Sequence, residues 1–214
     1  MKSVIRCLPV VLVLMLAATA FGQIIPGDPG TYPSVSVVQS PHNLNNFPGV
    51  VLPGNQVCLP CHTPHNALVS GEGNVLWNHA ETAETFTMYS SSAGQPEGTS
   101  KMCLSCHDGV TAVDNYGGTG GTGIVLTGGA ALGSDLSNDH PIGIEYPTGS
   151  PAEYNDPGTF APGINGGPGV RLVTINSLDR VECSSCHEPH NNGLGNFLRV
   201  PIQESYICLQ CHIK

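Results

Sequence analysis

Apolar residues occur in short runs along this chain, and glycine and proline interrupt most of the runs. The sequence holds 27 Gly and 18 Pro among 214 residues, and both types disfavour the interior of helices and strands. The pattern predicts short strands at 35–38, 124–126 and 170–175, helical turns at 81–89 and 178–183, and a glycine-rich loop at 117–123. We therefore expect mostly irregular coil with a few short helices and short strands.

The first twenty residues have the pattern of a secretory signal peptide. Lys2 and Arg6 precede an apolar run at 8–16, and residues 18–20, Ala-Thr-Ala, fit a small-x-small cleavage site. We expect cleavage after residue 20 or, alternatively, after residue 22. No later stretch is long and apolar enough to span a bilayer. The mature residues 21–214 are therefore predicted to be one exported domain without a transmembrane anchor.

Charge narrows the choice of partners. The mature chain keeps 5 of the 7 basic residues against all 16 acidic ones, a formal net charge of −11. Such a surface disfavours nucleic acid and anionic membranes as partners. It favours a basic protein, a mineral or a metal cation. Aromatic residues make up only 6% of the chain, so a core of protein side chains alone is underfilled for this length.

Every cysteine of the mature chain lies in a pentapeptide, Cys-x-x-Cys-His, that occurs four times. This is the attachment signature of c-type haem: two thiols form thioethers with the porphyrin vinyl groups, and the histidine binds iron as the proximal ligand. Zinc sites and disulfides also use C-x-x-C pairs, but neither needs a histidine after every second cysteine. We therefore predict four covalently bound haems. The thioether cysteines are Cys58, Cys61, Cys103, Cys106, Cys183, Cys186, Cys208 and Cys211, and the proximal ligands are His62, His107, His187 and His212.

The spacing of the motifs predicts two paired-haem units. Cys58 and Cys103 are 45 residues apart, whereas Cys183 and Cys208 are only 25 apart. The first and third motifs share a Pro-His-Asn tail, and each is followed by a motif without it. The units at about 58–107 and 183–214 are therefore expected to be joined by the glycine-rich middle of the chain.

Five histidines remain for the sixth coordination position of four irons. They are His42, His65, His79, His140 and His190. His65 and His190 each follow a proximal histidine by three residues with a stiff proline between, so each is predicted to bind the iron of an adjacent haem rather than its own. His42 and His140 are also predicted ligands. His79 is the alternative, since it could instead pack beside Trp77, and Met88 is interpreted as a core residue.

Five segments resemble the doubled C-x-x-C-H multihaem cytochromes of metal-reducing bacteria. They are 61–66 (Cys-His-Thr-Pro-His-Asn), 76–78 (Leu-Trp-Asn), 103–109, 139–143 (Asp-His-Pro-Ile-Gly) and 186–192 (Cys-His-Glu-Pro-His-Asn-Asn). With four motifs, this size and a leader, the chain is similar to the outer-surface tetrahaem cytochromes of the OmcE type, whose members polymerise into extracellular filaments. The resemblance implies His42, His65, His140 and His190 as sixth ligands and leaves the role of His79 open.

The expected function is electron transfer without substrate chemistry. We expect an extracellular, electron-conducting homopolymer in which His42 ligates an iron of the next subunit, with redox proteins or external acceptors such as metal oxides as partners. One alternative is a monomeric periplasmic shuttle. Another is a multihaem reductase, which needs an iron with an open position. The surplus histidine and the lack of a C-x-x-C-K motif argue against the reductase.

Overall fold

The computed structural model of the protein describes residues 32–68, 76–90 and 93–214, so the predicted leader lies outside the described residues. Three helices are present in these ranges: α1 (Gly98–His107), α2 (Cys183–Cys186) and α3 (Cys208–Cys211). Three strands, β1 (Ile144–Glu145), β2 (Val173–Ile175) and β3 (Leu178–Val181), form an antiparallel sheet in the order β1-β3-β2. The predicted fold of coil with few short elements is confirmed.

Single 3-10 turns supply most of the remaining regular structure. They lie at Val37–Gln39, Leu44–Asn46, Pro53–Asn55, Gly128–Ala130, Pro157–Thr159, Ile164–Gly166 and Gln203–Ser205. Such turns are normally short because their hydrogen-bond geometry is poorer than that of an α-helix. In the ranges that the structure describes, no helix is both long enough and apolar enough to cross a membrane.

The strand predicted at 170–175 is confirmed in part, as β2, but the helix predicted at 178–183 is wrong. Asn176 and Ser177 both have positive φ, 52° and 63°. This is the conformation of a two-residue hairpin turn of type I′. It pairs Ile175 with Leu178, so the residues after the turn continue as β3. The helix begins only at Cys183, directly after β3 and Glu182.

Three other predicted elements are absent. Residues 35–38 include the start of a 3-10 turn instead of a strand, 124–126 are coil, and 81–89 contain no helical turn. The last difference has a local cause. The Phe86 amide donates to the Gln95 side-chain oxygen at 2.8 Å, and the Gln95 side-chain nitrogen donates to the Phe86 carbonyl at 2.9 Å. The glutamine therefore satisfies an extended backbone as a neighbouring strand would.

The described chain contains two small clusters of buried apolar side chains. One is built from Val50, Leu52 and Val113, and the other from Phe86, Leu104 and Leu136. Met88 packs against the second cluster, as expected for a core residue. Cys106 packs against the first cluster and Leu104 belongs to the second. Both clusters therefore surround the second cysteine motif.

The second and third motifs lie against each other through α1 and α2. The Thr99 and Ser184 hydroxyls are 2.7 Å apart, and the Cys183 amide donates to the Ser100 hydroxyl at 2.9 Å. Ser100 is fully buried. Strand β3 leads through Glu182 directly into α2. The contacts between α1 and α2 therefore fix the position of the third motif relative to the second.

Candidate metal-binding site

Each motif folds as a single helical turn. The histidine amide donates to the carbonyl of the first cysteine, four residues earlier, at 2.8 Å for His62, 3.0 Å for His187 and 2.9 Å for His212. The second motif forms the last turn of α1, which ends at His107. Positions i, i+3 and i+4 share one face of a helical turn. The two thiols and the imidazole of each motif therefore leave the backbone on the same side.

Backbone pairing and ring hydrogen bonds then orient the motif histidines. Isolated antiparallel bridges join His62 to Trp77, His187 to Leu198 and His212 to Tyr154. Nδ1 of His107 lies 2.7 Å from the Ala130 carbonyl, and Nδ1 of His187 lies 2.7 Å from the Asn196 carbonyl. A carbonyl can only accept, so Nδ1 carries the proton in both rings. Nε2 keeps the lone pair that binds a metal.

Three motif histidines face a histidine from elsewhere in the chain. The ring centroids are 6.3 Å apart for His42 and His107, 6.0 Å for His62 and His190, and 6.3 Å for His140 and His212. Each pair joins one histidine of a C-x-x-C-H motif to one of the five spare histidines. The structure therefore brings His42, His140 and His190 to three different motifs.

These separations fit one metal ion between each pair of rings. Metal–nitrogen bonds to histidine are about 2.0–2.1 Å and a ring nitrogen lies roughly 1.1 Å from the ring centre, so imidazoles on opposite sides of one ion have centroids about 6.3 Å apart. Direct stacking of two rings would give a shorter separation, as the 4.1 Å between His42 and Phe197 shows. The donor set and its spacing would thus suit an iron held by two imidazoles.

The His42 side chain packs against other residues of the same chain. Its ring stacks on Phe197 with planes inclined by 13°, and its Nδ1 lies 3.4 Å from the Pro189 carbonyl. Burial lowers the pKa of His42, which favours the neutral imidazole that binds metals. In the single chain the N-terminal arm therefore folds back and places His42 beside His107.

The fourth motif is held by the segment at 146–155. The Tyr146 hydroxyl lies 2.7 Å from the Asn155 carbonyl and 3.3 Å from that of Cys211, and the Asn155 side chain donates to Leu209 at 2.9 Å. His140 reaches this motif from the preceding loop. Its Nδ1 lies 3.0 Å from the Pro141 carbonyl, so its Nε2 is the nitrogen left for a metal.

His65 and His187 are the two predicted ligands that the structure does not bring against another histidine ring in the described part of the chain. Both side chains are exposed. The third motif instead contributes His190 to the first motif. Its counterpart in the sequence repeat, His65, lies at the surface, where a Thr63 hydroxyl donates to the His65 carbonyl at 2.9 Å.

His79 is buried, with 1% of its surface exposed, and both ring nitrogens are close to backbone carbonyls. Nδ1 lies 2.8 Å from the Ala80 oxygen, and Nε2 lies 3.1 Å from the Ala112 oxygen and 3.3 Å from that of Val113. A nitrogen engaged in this way is not available to a metal. The geometry therefore favours a structural role for His79 in fixing the chain after the second motif.

Replacing His79 with leucine tests this role. We expect the free energy of unfolding of the haem-loaded protein to fall by about 1–3 kcal/mol, because a buried carbonyl loses its donor. The visible and magnetic spectra of the irons should stay unchanged. The matched variant His140→Leu should instead change the spectra of one iron. Denaturant titrations with both spectra recorded would refute the structural role if His79→Leu changed an iron's ligation.

The cysteines of successive motifs are also close to one another. Charge on Cys61 is among the causes that raise the pKa of the Cys106 thiol, and charge on Cys211 has the same effect on Cys186. Burial is the larger cause in both cases. The thiols of Cys103 and Cys183 are in hydrogen-bond contact. Each motif therefore has a cysteine within electrostatic reach of a cysteine of the next motif.

Two residues beside His190 were missed by sequence reasoning. The Glu188 carboxylate lies 3.0 Å from His190 Nδ1 and 2.8 Å from Arg199 Nη1. The position of Glu188, between His187 and His190, was a signal that was available, since the equivalent residue of the first motif is the uncharged Thr63. Arg199 carries no local signal, because the fold alone brings it from thirteen residues beyond Cys186.

Residues 177–214 match the family model described as the doubled CXXCH motif. These residues contain the third and fourth motifs, and the match supports a multihaem c-type cytochrome that binds haem covalently and takes part in electron transfer. Cytochromes of this kind are typically exported. The first and second motifs lie outside the matched residues. No curated protein sequence matches the chain.

Proposed function

We propose that the protein is an exported tetrahaem cytochrome that carries electrons outside the cytoplasm and assembles with copies of itself. The observation that supports this most strongly is the set of three facing histidine pairs at 6.0–6.3 Å. Each pair combines a motif histidine with a spare one, at a spacing that would suit one iron.

The chain's own residues would hold each cofactor by two thioethers and two imidazoles. Bound haem iron supplies a one-electron Fe(III)/Fe(II) couple. The histidine pairs that would hold an iron within one chain are His62 with His190, His107 with His42, and His212 with His140. Histidine on both faces gives lower potentials than histidine with methionine. It also leaves no open position for a substrate, so we propose that the protein is not an enzyme.

The order of the attachment cysteines supports a continuous path through the molecule. Cys61 lies within electrostatic reach of Cys106, Cys103 within hydrogen-bond reach of Cys183, and Cys186 within electrostatic reach of Cys211. Each of these cysteines would anchor one porphyrin edge. This order supports four anchoring sites in series from the first motif to the fourth, which would suit a carrier that accepts electrons at one end and gives them up at the other.

The remaining ligand pair supports assembly with another copy. His65 and His187 are both exposed, and the sequence repeat relates them to His190 and His62. We assign His65 of one subunit to the iron held at His187 of the next. A head-to-tail contact of this kind does not close on itself and therefore grows as a filament. The surface of a bacterial cell is the proposed location, and redox proteins or metal oxides are the proposed partners.

His65→Ala is the experiment that tests the proposal. The variant should keep four haems by mass, lose filaments in electron micrographs and show one altered iron. Leu68→Ala, at a nearby exposed side chain, should leave the filaments intact. Filaments that persist in His65→Ala with unchanged spectra would remove His65 from the contact. Native material that is monomeric in micrographs and by size would favour a periplasmic shuttle instead.

A further inference from the structure

His190 differs from the other spare histidines in what its second nitrogen contacts. Nδ1 of His42 and His140 lies against a backbone carbonyl, at 3.4 and 3.0 Å. Nδ1 of His190 lies 3.0 Å from a carboxylate oxygen of Glu188. This contact brings a negative charge to a proposed iron ligand.

The carboxylate is itself fixed by a buried cation. The other oxygen of Glu188 lies 2.8 Å from Arg199 Nη1, and the Arg199 side chain has no exposed surface. Arg199 is held in turn by Ser184, whose carbonyl accepts from Nε at 2.8 Å, and by the Pro168 carbonyl at 3.3 Å. A buried guanidinium needs an anionic partner, so Glu188 is kept in the ionised form and in one place.

The two oxygens of the carboxylate thus have different partners, His190 on one and Arg199 on the other. Arg199, Glu188 and His190 form a line of contacts that ends at the imidazole facing His62.

We propose that Glu188, backed by Arg199, is a positioning residue that holds His190 and lowers the reduction potential of the iron bound between His190 and His62. This rests on the proposed function, since it assumes that His190 is an iron ligand. A carboxylate that accepts the Nδ1 proton fixes the tautomer and makes the imidazole a more basic ligand. A more basic ligand stabilises Fe(III) relative to Fe(II), and the potential of this one iron falls.

The two copies of the sequence repeat then differ in a defined way. Thr63 stands in the first copy where Glu188 stands in the second, directly after the proximal histidine and two residues before the spare histidine. A threonine hydroxyl brings no charge, and here it is engaged with the His65 carbonyl. The reduction potential of the iron ligated by His65 should therefore not be lowered in this way. The iron at the first motif should then have a lower potential than the iron ligated by His65.

The test is a redox titration of the intact haem-loaded protein, with each iron followed by its own spectral signals, in the variant Glu188→Gln. Outer-shell partners of this kind contribute 10–100-fold to metal sites, and a tenfold change corresponds to about 59 mV for a one-electron couple. We expect one potential, that of the iron beside Trp77, to rise by about this amount or more. The other three should move no further than in Glu145→Gln, which removes the same charge from an exposed strand position.

A second variant controls for misfolding caused by an unpaired Arg199. Glu188→Gln with Arg199→Met removes both charges together, so that no buried guanidinium is left without a partner. It should raise the same potential. Low-spin irons with four unmoved potentials, or four equal shifts, would overturn the role of Glu188 while leaving the proposed function intact. If His190→Ala itself left every iron unchanged, the proposed function would fail first, since His190 would then not be a ligand.

Discussion

Replacing His190 with alanine should alter the iron attached at the first motif and leave the iron attached beside it, at the third motif, unchanged. His190 follows His187 by three residues, but its ring lies 6.0 Å from that of His62. Loss of the imidazole leaves the His62 iron with an open position. About one iron in four should therefore become high-spin and bind carbon monoxide, and its potential should rise as an axial ligand is lost.

Magnetic resonance of the intact variant would identify the altered haem. Trp77 is the single tryptophan of the chain, and its ring lies 6.2 Å from that of His62. The altered haem should therefore show contacts with this indole. His140→Ala is the matched control, and it should alter the iron of the fourth motif, near Tyr154. A perturbed third-motif haem in His190→Ala would show that the pairing across the chain is incorrect.

A chain secreted without haem attachment is expected not to fold. The two apolar clusters of the described residues are small, with three buried members each, and the helices that carry the third and fourth motifs are single turns. Isolated turns of this length are not stable in water. Where binding of a metal group organises the fold, its binding free energy becomes folding free energy.

The comparison is between the mature chain and a variant in which all eight motif cysteines are serine. The variant should lose slow amide hydrogen exchange throughout, including α1, while the loaded protein retains it. In a second comparison, iron alone is removed chemically from the loaded protein, so that the porphyrin remains attached through the thioethers. Persistent slow exchange in the α1 amides of the serine variant would mean that the protein side chains suffice to form the core.

The sequence allowed the motif residues and the general architecture to be predicted, because both depend on local patterns. Four copies of one pentapeptide set the helical turns, and the abundance of Gly and Pro limits the length of every other element. The hairpin at 175–178 was not predicted. Asn-Ser is a weaker turn signal than Asn-Gly, and the left-handed conformation of Ser177 depends on the pairing of β2 with β3.

Partners of the spare histidines could not be predicted from spacing. The sequence placed His190 on an adjacent haem but gave no way to choose His62, which lies 128 positions away. The N-terminal arm carries few signs of packing, so His42 was expected to leave the chain. In the structure the His42 ring stacks on Phe197 with 4.1 Å between ring centroids. Such contacts depend on the whole fold and cannot be predicted from local sequence.

Spin quantification of the native oxidised protein tests the central claim most directly. If two histidines hold each of four irons, with three pairs closed inside the chain and one completed by His65, every iron is six-coordinate and low-spin at neutral pH. Magnetic resonance of the intact, assembled material should therefore give four low-spin irons per chain and no high-spin signal. Fewer than four irons per chain, or a high-spin population in undamaged protein, would contradict this account.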